Sequence, residues 1–157
     1  MALDVVTAYG IVNAVRTDAA CRATIEGPQR SKVLMEIMGL WRVAGGVRNF
    51  AMMVAKLGKK DDEFIRYSCI GIAVATQLVI QSAILQGKLP KVQSSLIRRR
   101  KVDGFEHKGT GVAMKDGSDY VFDWWPTLTP ANPLISTLGQ WVRGGTTVEY
   151  EAFKEFR

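Results

Sequence analysis

The chain holds one histidine, His107, and only two cysteines, Cys21 and Cys69, in 157 residues. Two cysteines are too few for a disulfide framework, and with one imidazole they make no zinc site unless carboxylates join them. Glycine-rich phosphate loops, paired-carboxylate motifs and metal-ligand spacings are all missing, so neither metal nor cofactor is expected. The opening "MALDVVTAYGIVNAVRTDAAC" carries Asp4 and no basic stretch ahead of its apolar residues, so it does not read as a cleavable secretory signal. Synthesis in the cytoplasm is expected, with secretion or delivery into a target cell by another route left open. Long uninterrupted apolar runs are also lacking: "YSCIGIAVATQLVIQSAILQG" is broken by Thr76, Gln77, Gln81 and Ser82. A bilayer span needs about 18 residues or more, so this segment is expected to be a buried central helix and no membrane span.

What is present is ordinary for one folded domain: 47% apolar residues and 23% charged, with a net charge of +6. Residues 1–157 are expected to form a single domain, with a helical subregion over 1–60 and a core over 61–157. The positive balance suits anionic surroundings, but charge reports association rather than fold; no nucleic-acid partner is expected. The run "RRRK" at 98–101 reads as a solvated segment or a site for an acidic partner.

The first half has helical periodicity. Leu3, Val6, Tyr9, Val12 and Val15 recur every three residues over 3–20; "EGPQRS" breaks the run, and Ser31 is placed to cap a helix reaching Trp41 or Ala44. A shorter helix is expected over 47–57, ending at Gly58, with the next break at Gly58 to Asp62. After Pro90 the character changes: "KVQSSLIRRRKV" reads as extended or irregular, "EHKGTGVAMKDGSDYVFDWW" as a hairpin, and "PTLTPANPL" as a loop. A short helix over Ser136 to Val142 and a Thr146 to Glu149 capping signal close the pattern. The fold class expected is α+β, with helices first and a small antiparallel sheet after them.

The hairpin has a consequence for chemistry. If its turn is Lys115-Asp116-Gly117, glycine supplies the left-handed position that a type I turn with a bulge requires. Met114 then opposes Ser118, and Asp123 opposes Gly109. His107 becomes the diagonal neighbour of Asp123, about 7–8 Å away between backbones and within side-chain reach. A two-residue Asp116-Gly117 turn would put the two on opposite faces. The same register lines the histidine face with Gly109, Gly111 and Ala113, a smooth floor on which a helix beginning "CIGIAVA" is expected to lie, bringing Cys69 to His107. A thiol, an imidazole and a carboxylate in that arrangement form an activated nucleophile: the imidazole takes and returns the proton, and the carboxylate orients it. Asp119 is the rival third member. Cys21, with no histidine near it, reads as structural.

In these residues the chain resembles the transglutaminase-like branch of the papain-like cysteine hydrolases. The likeness covers roughly residues 64–128: Cys69 opening a central helix, His107 opening a strand 38 residues on, an acidic-Gly turn at Asp116-Gly117, and Asp123 ending the next strand after 16 more. "YVFDWWPT", with Thr127, is similar to the family's strand end, whereas "RYSCIGIA" is more apolar than the family's usual cysteine neighbourhood. The resemblance implies a papain-like fold with Cys69, His107 and Asp123 as a catalytic triad acting on an amide bond. Its products would mark a protease, a peptidoglycan amidase, or a glutamine deamidase or transglutaminase. It implies Gln29 as an oxyanion-holding side chain beside the Cys69 backbone N–H, and a peptide or protein substrate; Trp124 and Trp125, adjacent on a strand end and pointing to opposite sides, are the candidates to flank the substrate cleft, with one of them expected in the core. The C-terminal half also looks like small bacterial toxin domains, which implies an effector with an inhibitor or immunity protein as partner. Two other classes stay open: a non-catalytic protein-binding module on the same scaffold, and a membrane-active protein using residues 69–86.

Overall fold

The computed structural model describes residues 3–60, 66–102 and 105–144. The Thr146 to Glu149 capping signal and the expected break at Asp61 and Asp62 lie outside them. Four helices come first: α1 Val5–Thr17, α2 Ala19–Glu26, α3 Pro28–Ala44 and α4 Val47–Lys60; α5 Cys69–Leu85 follows. Then come the strands β1 Val92–Val102, β2 Phe105–Met114, β3 Asp119–Asp123 and β4 Leu134–Thr137, and the short helix α6 Leu138–Val142. The chain is α+β, with a helical N-terminal half and one antiparallel sheet in the order β1-β2-β3-β4.

Local chemistry explains the helix boundaries. Asp4 accepts the Thr7 N–H at 2.7 Å and starts α1. Asp18 accepts the Cys21 N–H at 2.8 Å and starts α2, so the single helix expected over 3–20 is two, divided by a second cap. Helix α3 starts at Pro28 rather than after Ser31, because proline at the first helical position needs no N–H acceptor. It ends at Gly45, whose φ of 72° is left-handed. Helix α4 runs through Gly58 to Lys60 instead of stopping there.

The helices pack mainly on one face of the sheet, with the short α6 meeting it otherwise. On one face Val112, Met114, Tyr120, Phe122 and Ile135 meet Ile72 and Ile80 of α5, with Ile11, Val12, Val15 and Ile25 of α1 and α2 beyond them. Burying each such side chain contributes about 1.5–3 kcal/mol. Three of the polar residues that interrupt the α5 run, Thr76, Gln77 and Gln81, fasten it to the sheet. The Thr76 and Thr110 hydroxyls are bonded to each other, Thr110 Oγ1 donates to the Ala73 carbonyl at 3.1 Å, and the Gln77 and Gln81 amides both donate to the Ser95 carbonyl at 3.0 Å. Although α5 is central, Val74, Leu78 and Leu85 on it are exposed. No helix among the described residues is long and apolar enough to cross a membrane.

The short helix expected over Ser136 to Val142 is present as α6 but begins at Leu138, because Leu134 to Thr137 pair with β3 as strand β4. The segment 98–101 is extended, as part of the long strand β1, with Arg99 and Lys101 exposed; Arg98 pairs with Asp119 at 3.2 Å, Arg99 with Glu106 at 3.7 Å, and Arg100 donates to the Trp141 carbonyl at 2.8 Å.

Candidate active site

The site begins with the β2–β3 turn. Gly117 has a φ of 92°, and the Met114 N–H donates to the Ser118 carbonyl at 2.8 Å. These close the three-residue loop. Thr110 opposes Phe122 and Val112 opposes Tyr120, a register that continues to Gly109 opposite Asp123. His107 Nε2 therefore reaches Asp123 and donates to its Oδ2 at 2.7 Å, with His107 only 7% exposed and Asp123 2%. Asp119 sits at the other end of β3, paired with Arg98, and is not the third member.

The Asp123 carboxylate takes three donors. Besides His107, its Oδ2 accepts the Trp141 indole N–H at 3.0 Å and its Oδ1 accepts the Trp125 backbone N–H at 3.1 Å. Trp141 came from no motif in the sequence. It reaches the site from α6, packs on the His107 ring with centroids 5.9 Å apart, and carries the Arg100 guanidinium 4.9 Å above its own ring. Only the β4–α6 turn, a tertiary feature, brings it there.

Cys69 is the first residue of α5, half-buried, with Ser68 at the N-cap position in extended backbone. The N–H groups of a first helical turn have no acceptor within their own helix, so they can donate to a ligand at that end. Cys69 and His107 line the same cavity, with the thiol close enough to act on the imidazole. Since Nε2 is engaged by Asp123, the other ring nitrogen, Nδ1, is the one left for the thiol. Burial alone would depress the His107 pKa, but the hydrogen bond with Asp123, the Cys69 side chain beside the ring and the charge of Asp123 outweigh it and raise the pKa from 6.5 to about 9. The imidazole is thus held as a cation at neutral pH. Cys21 contrasts with this: burial, then the neighbouring Asp18 charge, pushes its thiol up to about 12, which leaves it inert.

The route by which α5 delivers Cys69 differs from expectation. The helix lies over Thr110 and Val112, on the sheet face opposite His107. The glycine face is covered from the other side: a Cβ on Gly109 would stand 2.8 Å from Trp141, and one on Gly111 would stand 2.7 Å from the Arg98 side chain. These glycines make room for Trp141 and Arg98 and not for α5. Helix α5 reaches the site at its N-terminal end, where Cys69 and the start of β2 line one cavity of about 590 Å³ with residues of α3 and α4.

Trp125 lines that cavity, beside the thiol and imidazole. Trp124 does not: it is 1% exposed, and its indole N–H donates to the Pro130 carbonyl at 3.0 Å. Adjacent strand residues point to opposite faces, so Trp124 belongs to the core and not to the cleft. Gln29 lies in the first turn of α3 rather than in a loop, and its side chain is outside the described residues. Among the described residues no group of three or more His, Cys, Asp or Glu is placed to hold a metal ion. No protein-family model, curated protein or solved structure matches the chain.

Proposed function

We propose that the protein is a thiol-dependent acyl-transfer enzyme that acts on an amide or related acyl bond. The observation that carries this reading is the convergence of Cys69, at a helix N-terminus, on an imidazole held by a buried carboxylate and opening into a cavity. In this reading the Cys69 thiolate attacks the carbonyl carbon and a tetrahedral oxyanion forms against the backbone N–H of Cys69. The C–X bond then breaks as the His107 imidazolium gives its proton to the leaving group, which leaves a thioester on Sγ. Water or an amine next attacks the thioester, His107 takes the proton released, and the thiolate returns. Asp123 keeps Nε2–H occupied, so that Nδ1 faces the thiol. Water as acceptor gives a protease, amidase or deamidase; an amine gives a transglutaminase. Delivery as a bacterial effector, with a cognate inhibitor, is part of the same proposal and rests on the sequence resemblance alone.

Trapping the acyl intermediate tests the reading. With p-nitrophenyl acetate, the expected result is a burst of p-nitrophenolate close to one equivalent and a single acetyl group on Cys69 by mass spectrometry. Both should be lost in Cys69→Ala and strongly slowed in His107→Ala. Acetylation spread over lysines, or unchanged in His107→Ala, overturns it.

A further inference from the structure

The cavity at Cys69 narrows the substrate class, an inference that rests on the reading above. We propose that the acyl group accepted by Cys69 is bulky, apolar and uncharged, and that it lodges against α3 and α4. The walls are Ile37 of α3; Phe50, Ala51, Val54 and Ala55 of α4; and Ile70 and Trp125 on either side of the thiol. Apart from His107 itself, the charged side chains at the cavity are Glu106 and Lys108, joined at 2.7 Å, and Glu106 also faces Arg99 at 3.7 Å. Their charge is therefore already matched. A charged acyl group entering here would lose its hydration against hydrocarbon, whereas an apolar one gains by leaving water. The volume of about 590 Å³ falls in the ~300–1,000 Å³ range of sites that enclose a small molecule, far more than an acetyl group fills.

Ala51 and Ala55 set the depth of the site. They stand one turn apart on the same face of α4 and line the cavity together with Phe50 and Val54. Because α4 packs chiefly on α3, this wall is a helical hairpin applied to the catalytic end of the sheet. The bond chemistry is as above: Sγ–C forms, C–X breaks, and X departs with the His107 proton or as a stable anion. Either an aliphatic or aromatic residue of a peptide or an aliphatic acyl chain presents this chemistry.

The test measures second-order acylation of Cys69 by p-nitrophenyl esters: acetate, butyrate, octanoate, N-acetylphenylalanine and the anionic hemisuccinate. Octanoate or N-acetylphenylalanine should exceed acetate at least tenfold, with hemisuccinate slower than butyrate. A lead for N-acetylphenylalanine assigns the site to a peptide side chain, and a lead for octanoate to an acyl chain; either supports the proposal. In Ala51→Trp, and independently in Ala55→Trp on the more exposed part of the wall, the bulky-to-acetate ratio should fall toward one. Rates that are flat across the series, or highest for hemisuccinate, with Cys69 still acylated, overturn this inference and leave the acyl-transfer reading standing. Acylation by none of the esters overturns both. A ratio unchanged in two folded tryptophan variants also overturns the assignment to α3 and α4.

Discussion

His107 Nε2 and Asp123 Oδ2 lie 2.7 Å apart, both buried, 16 residues apart in sequence and joined by a hairpin whose turn sets their register. The carboxylate makes three hydrogen bonds, so it is fixed before any substrate arrives, and the imidazole is fixed with it.

Replacing that carboxylate with its neutral isostere isolates the charge. Asp123→Asn should fold, since the amide oxygen still accepts from a ring N–H, but it removes the carboxylate charge that helps hold the His107 proton. Turnover of an activated ester at pH 7 is expected to fall by about 10²-fold, within the range assigned to a positioned acid–base group. Wild-type rates in a folded Asp123→Asn protein would remove Asp123 from the mechanism.

Stability should carry the signature of His107. Its pKa is raised in the folded chain, from 6.5 to about 9, so the folded state keeps a proton that the unfolded state has already lost. The stabilisation is complete below pH ~6.5 and is lost as pH rises through about 9. At ~1.4 kcal/mol per pH unit it amounts to about 3 kcal/mol. Urea unfolding of wild type and His107→Gln at pH 6 and pH 9.5 measures it. The wild type should lose stability over that interval by about 3 kcal/mol more than the variant, and parallel losses would contradict the assignment.

Trp141 and Gly109 should prove to be one device. Trp141→Phe keeps a ring over His107 but removes the donor to Asp123, a hydrogen bond to a charged group worth about 1.5–3 kcal/mol. Gly109→Ala places a Cβ 2.8 Å from both Trp141 and Val121, which should push the indole away at a cost of about 1–3 kcal/mol. The double variant is expected to be less destabilised than the two singles added together, because each disturbs the same contact. Strict additivity by thermal or urea unfolding would show that the glycine and the indole act independently.

The hairpin was legible because a local rule decided it: Gly117 supplies the left-handed residue, the loop length sets the register, and the register brings His107 to Asp123. Cys69 at a helix start was legible from the small-residue run that follows it. The side from which α5 packs was not, since the bare strip Gly109, Gly111, Ala113 suits a tryptophan and an arginine as well as it suits a helix. Only the fold shows that Trp141 and Arg98 fill it. The same holds for β4: Leu134 to Thr137 are four residues whose strand character comes from pairing with β3, and local pattern gives no sign of it. The basic run reads in sequence only as a solvated segment or a site for phosphate or an acidic partner, because Asp119, Glu106 and the Trp141 carbonyl are brought to it by the fold. Trp124 and Trp125 were equivalent in sequence, and the alternation of the strand end divides them into core and cleft.

The central claim is that Cys69 and His107 act as a pair, and the rate of iodoacetamide alkylation against pH tests it most directly. Wild type and His107→Ala are compared with Cys21 replaced by serine in both. The account predicts rapid alkylation of Cys69 at neutral pH, with a profile that moves to higher pH and a neutral-pH rate at least tenfold lower once His107 is removed. A Cys69 that is unreactive in the folded protein, or that follows the same profile without His107, would contradict the account and leave a binding module in its place.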